Sequence, residues 1–223
     1  MNEIRITGEG SLESVHGRTR SAYDAVADRY HELFRDELIG KEYDRDLLDE
    51  FARSFGVGGR VLDAGCGPCG HVSRYLRNRG LAVVGVDLSV SCLRTARRCQ
   101  PLIPVAAGDL ARLPFGSSVF AGVVAYYSLI HTPKRFLRRL LQEFRRTLAS
   151  GGRLLLAVKE GTSEGYEPEL LGAPVPIYFS RFTLEEMARV LEGGGFRVER
   201  LERRDPYDFE IAEGRIFAVA RGK

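Results

Sequence analysis

The sequence predicts an α/β fold: a doubly wound, mostly parallel seven-stranded sheet with helices on both faces and a terminal antiparallel hairpin. Between residues 60 and 161, apolar runs of strand length alternate with segments of helical period. The strand-like runs are apolar throughout, which is typical of parallel strands buried on both faces. Two further runs, 196–205 and 215–222, lie close together in the chain and therefore indicate a hairpin.

The composition is that of a globular chain, with 223 residues, 44% apolar and 28% charged. The longest apolar runs are far shorter than the roughly 20 residues of a membrane-spanning helix, and the polar start lacks the apolar core of a signal peptide. Four cysteines do not make a disulfide framework in a chain of this length. We therefore expect a cytoplasmic protein without a membrane partner.

The net charge of +3 is too small to indicate a nucleic-acid partner. Arginine clusters occur in two helical segments, 94–98 and 138–146, between apolar positions. Such clusters are typical of solvated helix faces. The sequence does not indicate an oligomeric state.

The N-terminal part is expected to be a loose tail, residues 1–15, followed by a helical lid, residues 16–56, of a single domain that runs from 16 to 223. Apolar side chains at helical spacing predict the lid's two helices over 18–38 and 43–56.

The alternating part predicts strands at 60–65, 81–89, 102–109, within 117–131 and at 153–161, and helices at 71–80, 90–99 and 133–152. Residues 161–182 contain several Gly and Pro and no clear period, so we expect an irregular insertion near the active site. A helix follows, for which Thr183 and Glu186 make a capping box.

The stretch "AGCGPCGH", residues 64–71, contains two overlapping patterns. Gly65 to Gly70 is a GxGxxG, and Cys66 to Cys69 is a CxxC. The loop follows the first predicted strand and begins the next helix, where a doubly wound fold exposes backbone N–H groups to ligands. Glycine there permits a tight turn and close approach by a nucleotide.

Two acidic residues support a nucleotide ligand. Asp87 ends the second predicted strand, 20 residues after Gly67, which is near the spacing of a ribose-binding carboxylate. Asp109 ends the third strand, where it can accept a hydrogen bond from an exocyclic adenine amine, with Leu110 beside the ring. Two ligand types fit a ribose-binding acid after a glycine loop: a dinucleotide, or an adenosine attached to another group. The second accounts for both Asp87 and Asp109, whereas a nicotinamide-dependent enzyme accounts only for Asp87.

Five stretches in this order resemble the motifs of the class I S-adenosylmethionine-dependent methyltransferases: "VLDAGCGPCG", "VVGVDLS", "AAGDLARLPF", "FAGVVAYYSLIH" and "LASGGRLLLAV". The resemblance covers nearly the whole chain, from about residue 23 onwards. It implies S-adenosylmethionine as cofactor and a sheet that ends in an antiparallel hairpin. One departure is Cys69, which stands where the family usually has a third glycine.

The resemblance also implies roles for individual residues. Gly65 and Gly67 let the loop pass under the methionine part, and Asp63 holds its ammonium group directly or through water. Asp87 takes the ribose hydroxyls. The other implied contacts are Leu88, Asp109 and Leu110 around adenine, Tyr126 near the methionine part, and the lid residues Tyr23 and Tyr30 over the cofactor.

Methyl transfer from a sulfonium is a direct displacement, and a base is needed only for an acceptor that arrives protonated. His131, at the end of the fourth strand segment, is the candidate base; alternatively it pins the turn at Pro133 by a backbone hydrogen bond. Candidate acceptor contacts are Tyr127, Tyr178 and Phe179. Lys159 can reach the cleft or remain solvated. A single core without an added recognition domain favours a small-molecule acceptor.

Three other functions remain open from the sequence. A nicotinamide-dependent oxidoreductase shares the glycine loop and Asp87, and a non-catalytic regulator could still bind the cofactor. A redox or zinc protein would use the four cysteines, Cys66, Cys69, Cys92 and Cys99, but the chain lacks the tryptophan that normally precedes a thioredoxin-like CGPC. Because Cys69 lies near a helix N-terminus, we expect ready alkylation that bound cofactor prevents.

Overall fold

A computed structural model describes residues 10–223 of the chain. Its helices are α1 (Leu12–Phe34), α2 (Glu42–Arg53), α3 (His71–Arg77), α4 (Val90–Cys99), α5 (Leu137–Thr147) and α6 (Leu184–Gly193). Its strands are β1 (Arg60–Ala64), β2 (Ala82–Asp87), β3 (Val105–Ala107), β4 (Phe120–Tyr126), β5 (Leu148–Lys159), β6 (Glu164–Glu167), β7 (Ile177–Ser180), β8 (Phe196–Arg204) and β9 (Arg215–Gly222).

Seven strands form one sheet in the order β3-β2-β1-β4-β5-β9-β8. The first five strands of this order pair in parallel, whereas β9 pairs antiparallel with both β5 and β8. This arrangement confirms the predicted doubly wound sheet and its terminal hairpin. The order reverses between β1 and β4, which is where such folds bind ligands.

Helices cover both faces of the sheet. Alternate residues of a strand point to opposite faces, so Val123 of β4 belongs to one apolar cluster and Val124 to the other. The first cluster packs against α1, α5 and α6, and the second against α2 and α3. No helix within residues 10–223 is long and apolar enough to cross a membrane.

The predicted boundary of the N-terminal tail is wrong where the structure describes it. Helix α1 begins at Leu12 rather than at residue 16, because Ser11 caps it by accepting from the backbone N–H of Ser14 at 3.2 Å. Leu12 and Val15 are buried in the body of the protein. Residues 1–9 of the expected tail lie outside the described residues, so that part stays a prediction.

The predicted irregular insertion, residues 161–182, is also corrected, because it contains an antiparallel hairpin of β6 and β7. Tyr166 and Tyr178 face each other across the pair, with ring centroids 5.1 Å apart. The hydroxyl of Ser180 donates to the carbonyl of Thr132 at 2.8 Å and thereby connects the hairpin to the turn after β4. The strands are short and the connection between them contains Gly and Pro, so the sequence shows no clear alternation of apolar and polar residues here.

The expected capping box of α6 is confirmed, with reciprocal bonds between Thr183 and Glu186. The helix predicted over 133–152 is too long. Helix α5 ends at Thr147 and the chain enters β5 at once, because Leu148 already pairs with Phe120 of β4.

Candidate active site

A cavity of about 440 Å³ lies at the carboxyl ends of the parallel strands. Its floor is formed by the turns that follow β1, β2, β3 and β4. Helix α1 supplies the roof, while the β6–β7 hairpin and the segment between β8 and β9 supply the far walls. The volume is in the range of pockets that enclose small ligands.

The glycine loop lies on the floor of this cavity. Gly65 has φ +82°, and a Cβ there would lie 2.3 Å from the Cβ of Ser128, so a larger residue cannot pack. Gly67 has φ +60°, but a Cβ there would meet nothing within 4 Å. The first glycine is therefore required by packing, and the second leaves open space next to the backbone.

Asp87 lies beside the loop and fixes its position. Its Oδ2 accepts from the N–H of Gly67 and its Oδ1 from the N–H of Ser89, both at 2.9 Å. Burial raises the pKa of this carboxyl group, and the backbone hydrogen bonds oppose that effect. The side chain lines the cavity together with Leu88.

Asp63 lies outside the main cavity, in a small adjoining one that it shares with Gly65, Gly67 and Tyr126. The hydroxyl of Ser73 donates to its Oδ2 at 2.6 Å. Burial raises the pKa of Asp63 to about 6 against the effect of that bond.

Tyr126 lines both cavities, and its hydroxyl donates to the buried carboxylate of Asp44. Tyr127, the next residue, lines the main cavity with φ +56°. Its hydroxyl is buried and has no hydrogen-bond partner within residues 10–223. A buried hydroxyl without a partner is uncommon in proteins.

Among the residues of α1 that line the roof are three ring-bearing side chains: His16, Tyr23 and Tyr30. Their spacing of seven residues is two helical turns, so they lie in one stripe that faces the cavity. The rings of Tyr23 and Tyr30 are 5.8 Å apart. Asp24 holds the helix in place by accepting from the hydroxyl of Ser89 at 2.6 Å.

His131 lies in a short 3₁₀ turn after β4 and is buried. Its Nδ1 is 2.9 Å from the carbonyl oxygen of Tyr178, which can only accept, so we assign the proton to Nδ1. Its Nε2 then accepts from the hydroxyl of Tyr23 at 2.8 Å. Burial lowers the pKa of His131 to about 4, which leaves the ring neutral near pH 7. The ring therefore bonds to Tyr178 and Tyr23 rather than within the Pro133 turn, which was the expected alternative.

Only one of the two aromatic residues expected from the insertion lines the cavity. Phe179 does so, with its ring 4.7 Å from that of His131. The side chain of Tyr178 packs against Tyr166 on the opposite face of the hairpin, because neighbouring strand residues alternate. Tyr178 contributes its backbone carbonyl to the site rather than its ring, which corrects the prediction.

Lys159 also lines the cavity and is not solvated. Its Nζ lies 3.1 Å from Oε2 of Glu213, and its side chain is 16% exposed. Of the two alternatives that the sequence left for Lys159, the structure therefore supports the cleft position rather than a solvated side chain.

Sequence reasoning missed the charged wall between α1 and the β8–β9 segment. Lys41 pairs there with Glu37 and, at 2.7 Å, with Oε1 of Glu210. Burial opposes the ionisation of Glu210, but hydrogen bonds from Arg204 and Lys41 outweigh it and lower its pKa to about 2. Charged residues this far apart in sequence carry no local signal that they will meet.

Sequence reasoning also missed His16, which contacts Asp109. The two side chains meet at 2.9 Å, between Nδ1 and Oδ2. Oδ1 of Asp109 accepts from the N–H of Ala111 at 2.7 Å. Burial raises the pKa of Asp109, but these two hydrogen bonds outweigh burial and hold the pKa below its ordinary value. Asp109 and Leu110 both line the cavity.

The two cysteines of the glycine loop are enclosed by the protein. Cys66 and Cys69 are buried free thiols. Burial raises the pKa of both, that of Cys69 to about 12, which argues against the expected ready alkylation of Cys69. Within residues 10–223, no group of three or more His, Cys, Asp or Glu side chains is arranged to hold a metal.

Comparison with known proteins agrees with this geometry. Residues 61–152 match a family model described as a methyltransferase domain. Malonyl-(acyl-carrier protein) O-methyltransferase of Pseudescherichia vulneris is 33% identical over 187 residues, covering 82% of this chain and 67% of that protein. Demethylmenaquinone methyltransferase of Renibacterium salmoninarum is 35% identical over 152 residues, covering 66% of this chain and 61% of that protein.

The chain spans about half to two thirds of the length of several curated relatives that it matches. Among solved structures, it resembles the 1,6-didemethyltoxoflavin-N1-methyltransferase of Burkholderia thailandensis, which was crystallised with S-adenosylhomocysteine and 1,6-didemethyltoxoflavin. The TM-score is 0.74 at 20% identity, covering 97% of this chain and 92% of that one.

The strand order and the glycine loop at its switch point are those of a doubly wound nucleotide-binding domain. The chain belongs to the class I S-adenosylmethionine-dependent methyltransferases, a family whose cofactor is S-adenosylmethionine.

Proposed function

We propose that this chain transfers a methyl group from S-adenosylmethionine to a small-molecule acceptor by direct displacement. One observation carries the proposal. The glycine loop, Asp87 and Asp109 open into the same cavity as His131 and Phe179, so a cofactor and an acceptor can share one enclosed space.

The residues present fit the cofactor. The open space next to Gly67 admits a ligand close to the backbone. Asp87 keeps lone pairs for ribose hydroxyls beyond the two backbone bonds that it accepts, and Asp109 is kept ionised for the adenine amine. Leu88, Leu110, Tyr23 and Tyr30 supply the apolar contacts. Asp63 and Tyr126 would act at the methionine end.

Bound S-adenosylmethionine would supply a methyl group on a sulfonium that is already an activated leaving group. The protein then has to align the acceptor and exclude water, and proximity with orientation can supply roughly 7–11 kcal/mol. Helix α1 closes the cavity from above through the stripe of His16, Tyr23 and Tyr30. The hairpin closes it from the side through Phe179.

We propose His131 as the base that takes up a proton from an acceptor that arrives protonated. With the proton on Nδ1, its Nε2 carries the basic lone pair of a neutral imidazole, and the ring lines the cavity. In the described conformation that lone pair accepts from Tyr23, so an acceptor that delivers a proton must displace this hydroxyl or act through it. A positioned base would contribute about 10²–10⁴-fold for an acceptor that arrives protonated.

The acceptor wall consists of Tyr127, Lys159 and Phe179, with His131 at its inner edge. Aromatic rings with a few polar groups suit a small, partly apolar acceptor. The relatives are named for a malonyl-(acyl-carrier protein) and a demethylated menaquinone, and we extend to this chain only the class of small or carrier-bound acceptor. The cytoplasmic location and the absence of nucleic-acid and membrane partners stay predictions.

Calorimetric titration with S-adenosylhomocysteine and, separately, with NAD tests the cofactor half. We expect micromolar binding of the first alone; binding of NAD alone would refute the proposal. A metabolite extract incubated with methyl-labelled S-adenosylmethionine tests the acceptor half. Label should appear in a small product with wild-type protein and fall strongly with Asp87→Asn, whereas Asp46→Asn, which changes an exposed acid of α2, should match the wild type.

A further inference from the structure

The contact between His16 and Asp109 joins the roof of the cavity to its floor. His16 belongs to α1, and Asp109 follows β3, 93 residues later in the chain. The imidazole is 9% exposed, and the carboxylate is 33% exposed and opens to the cavity. The bond therefore forms at the edge of a ligand space and not in a sealed core.

The chemistry of the two groups fixes their roles. The Asp109 carboxylate can only accept, so Nδ1 of His16 carries the proton in this contact. Nε2 of His16 lies 3.4 Å from Oγ1 of Thr132, at the end of the turn that holds His131. The N–H of Ala111 occupies Oδ1 of Asp109, and each carboxylate oxygen keeps one further lone pair.

We propose that His16 is a specificity-determining residue for the adenine base, because it holds Asp109 as an oriented carboxylate that requires an amine on its ligand. The inference rests on the proposed function, in which Asp109 faces adenine. His16 is a positioning residue here and acts through Asp109.

The physical argument concerns donors and acceptors. An oriented carboxylate accepts from the 6-amino group of adenine and repels a 6-oxo group, since both partners would then be acceptors. Without the His16 N–H, the carboxylate loses one of the bonds that fix its orientation. It also loses the hydrogen bond that most opposes the effect of burial on its pKa. A carboxylate that is free to turn discriminates less between an amine and an oxo group.

Two ligands and three variants separate this role from a purely structural one. The ligands are S-adenosylhomocysteine and S-inosylhomocysteine. In S-inosylhomocysteine, a 6-oxo group replaces the 6-amino group of adenine. In His16→Asn, the amide nitrogen takes about the place of Nδ1 and keeps the donor to Asp109. In His16→Gln, the amide takes about the place of Nε2 and keeps only the contact towards Thr132, and His16→Leu removes both.

Calorimetric dissociation constants of both ligands give the preference for the amine. We expect wild-type protein and His16→Asn to prefer S-adenosylhomocysteine by about tenfold or more, the scale of a hydrogen bond to a charged group. We expect His16→Gln and His16→Leu to lose most of this preference. Far-UV circular dichroism with both ligands absent checks that each variant folds.

Two results would overturn the inference. One is a wild-type protein that binds both ligands equally. The other is a loss of affinity in His16→Gln and His16→Leu that is the same for both ligands, because that would reveal a structural role only. If wild-type protein binds neither ligand, the proposed function itself fails, and the inference fails with it.

Discussion

His131 combines a buried ring with a polar environment on both sides. Its Nδ1 donates to a backbone carbonyl of the hairpin, and its Nε2 accepts from the roof helix. These two hydrogen bonds use both ring nitrogens of the neutral imidazole. A second ring proton would therefore have no acceptor in this conformation. Burial therefore lowers its pKa to about 4, from an ordinary value of 6.5.

That pKa predicts how stability depends on pH. In the unfolded chain His131 takes up a proton as the pH falls through about 6.5, whereas in the folded protein it stays neutral until about pH 4. The free energy of unfolding should then decrease as the pH falls from 6.5 to 4, by up to about 1.4 kcal/mol per pH unit from this residue. We expect His131→Asn to flatten the decline.

Urea unfolding at pH 5.0, 6.0 and 7.0 measures this effect. Asparagine keeps a donor for the carbonyl of Tyr178 and does not titrate. The pKa of His71 is also lowered by burial, so the useful quantity is the difference in slope between wild type and variant. Parallel slopes would show that His131 is not held neutral.

Single residues also mark how far sequence reasoning reaches. Gly65, Gly67, Asp87 and Asp109 could be predicted to line the cavity because each follows a strand whose carboxyl end is recognisable. His16 carried a weaker signal, since it lies seven residues before Tyr23 and so falls on the same helical stripe. The choice between Tyr178 and Phe179 could not be made, because it depends on which face of a strand is turned inward.

Among the elements, α6 illustrates how local sequence sets a boundary. Thr183 accepts from the N–H of Glu186 at 3.2 Å, and the Glu186 carboxylate accepts from the N–H of Thr183 at 3.0 Å. Lys134 also donates to Glu186 at 2.9 Å and connects the start of the helix to the turn after β4. This boundary could be predicted because every group that defines it lies within four residues.

We expect Thr183→Ala to lower the free energy of unfolding by about 1 kcal/mol, the typical cost of a lost N-cap. Chemical denaturation of the two proteins measures the difference. Thr162→Ala is the matched control, since its side chain is exposed and only its carbonyl accepts from Lys134. An equal loss in both variants would mean that the cap contributes nothing.

The hairpin of β6 and β7 is the element that the sequence did not reveal. Its strands are only four residues each, and the connection between them contains Pro168, Gly172, Pro174 and Pro176. Short strands of this kind are stabilised by cross-strand pairs and by docking on the body, through Ser180, rather than by a long alternating pattern. Contacts of that sort form between distant parts of the chain.

At the scale of the whole molecule, topology was the most predictable property. A parallel sheet requires apolar strands and covering helices, and both leave a strong pattern in the sequence. The packing of the lid helix α1 against the rest of the protein was not predictable from such a pattern. Buried apolar side chains of α1 belong to the main core: Leu12, Ala22 and Val26. The roof of the cavity is therefore part of the same packed unit as its floor.

Because α1 and the sheet share one core, we expect the protein to unfold in a single cooperative transition. S-adenosylhomocysteine, the product formed from the cofactor, should stabilise lid and sheet equally. The chain has no tryptophan, so tyrosine fluorescence reports partly on Tyr23 and Tyr30 of α1, while far-UV circular dichroism reports on all helices and strands. S-adenosylhomocysteine at 100 times its dissociation constant should add about 2.7 kcal/mol to the free energy of unfolding by both probes. Asp87→Asn should show a smaller shift at the same concentration, because it weakens binding, and Asp46→Asn the full shift. A tyrosine transition that precedes the loss of secondary structure would instead mean that the lid unfolds separately from the sheet.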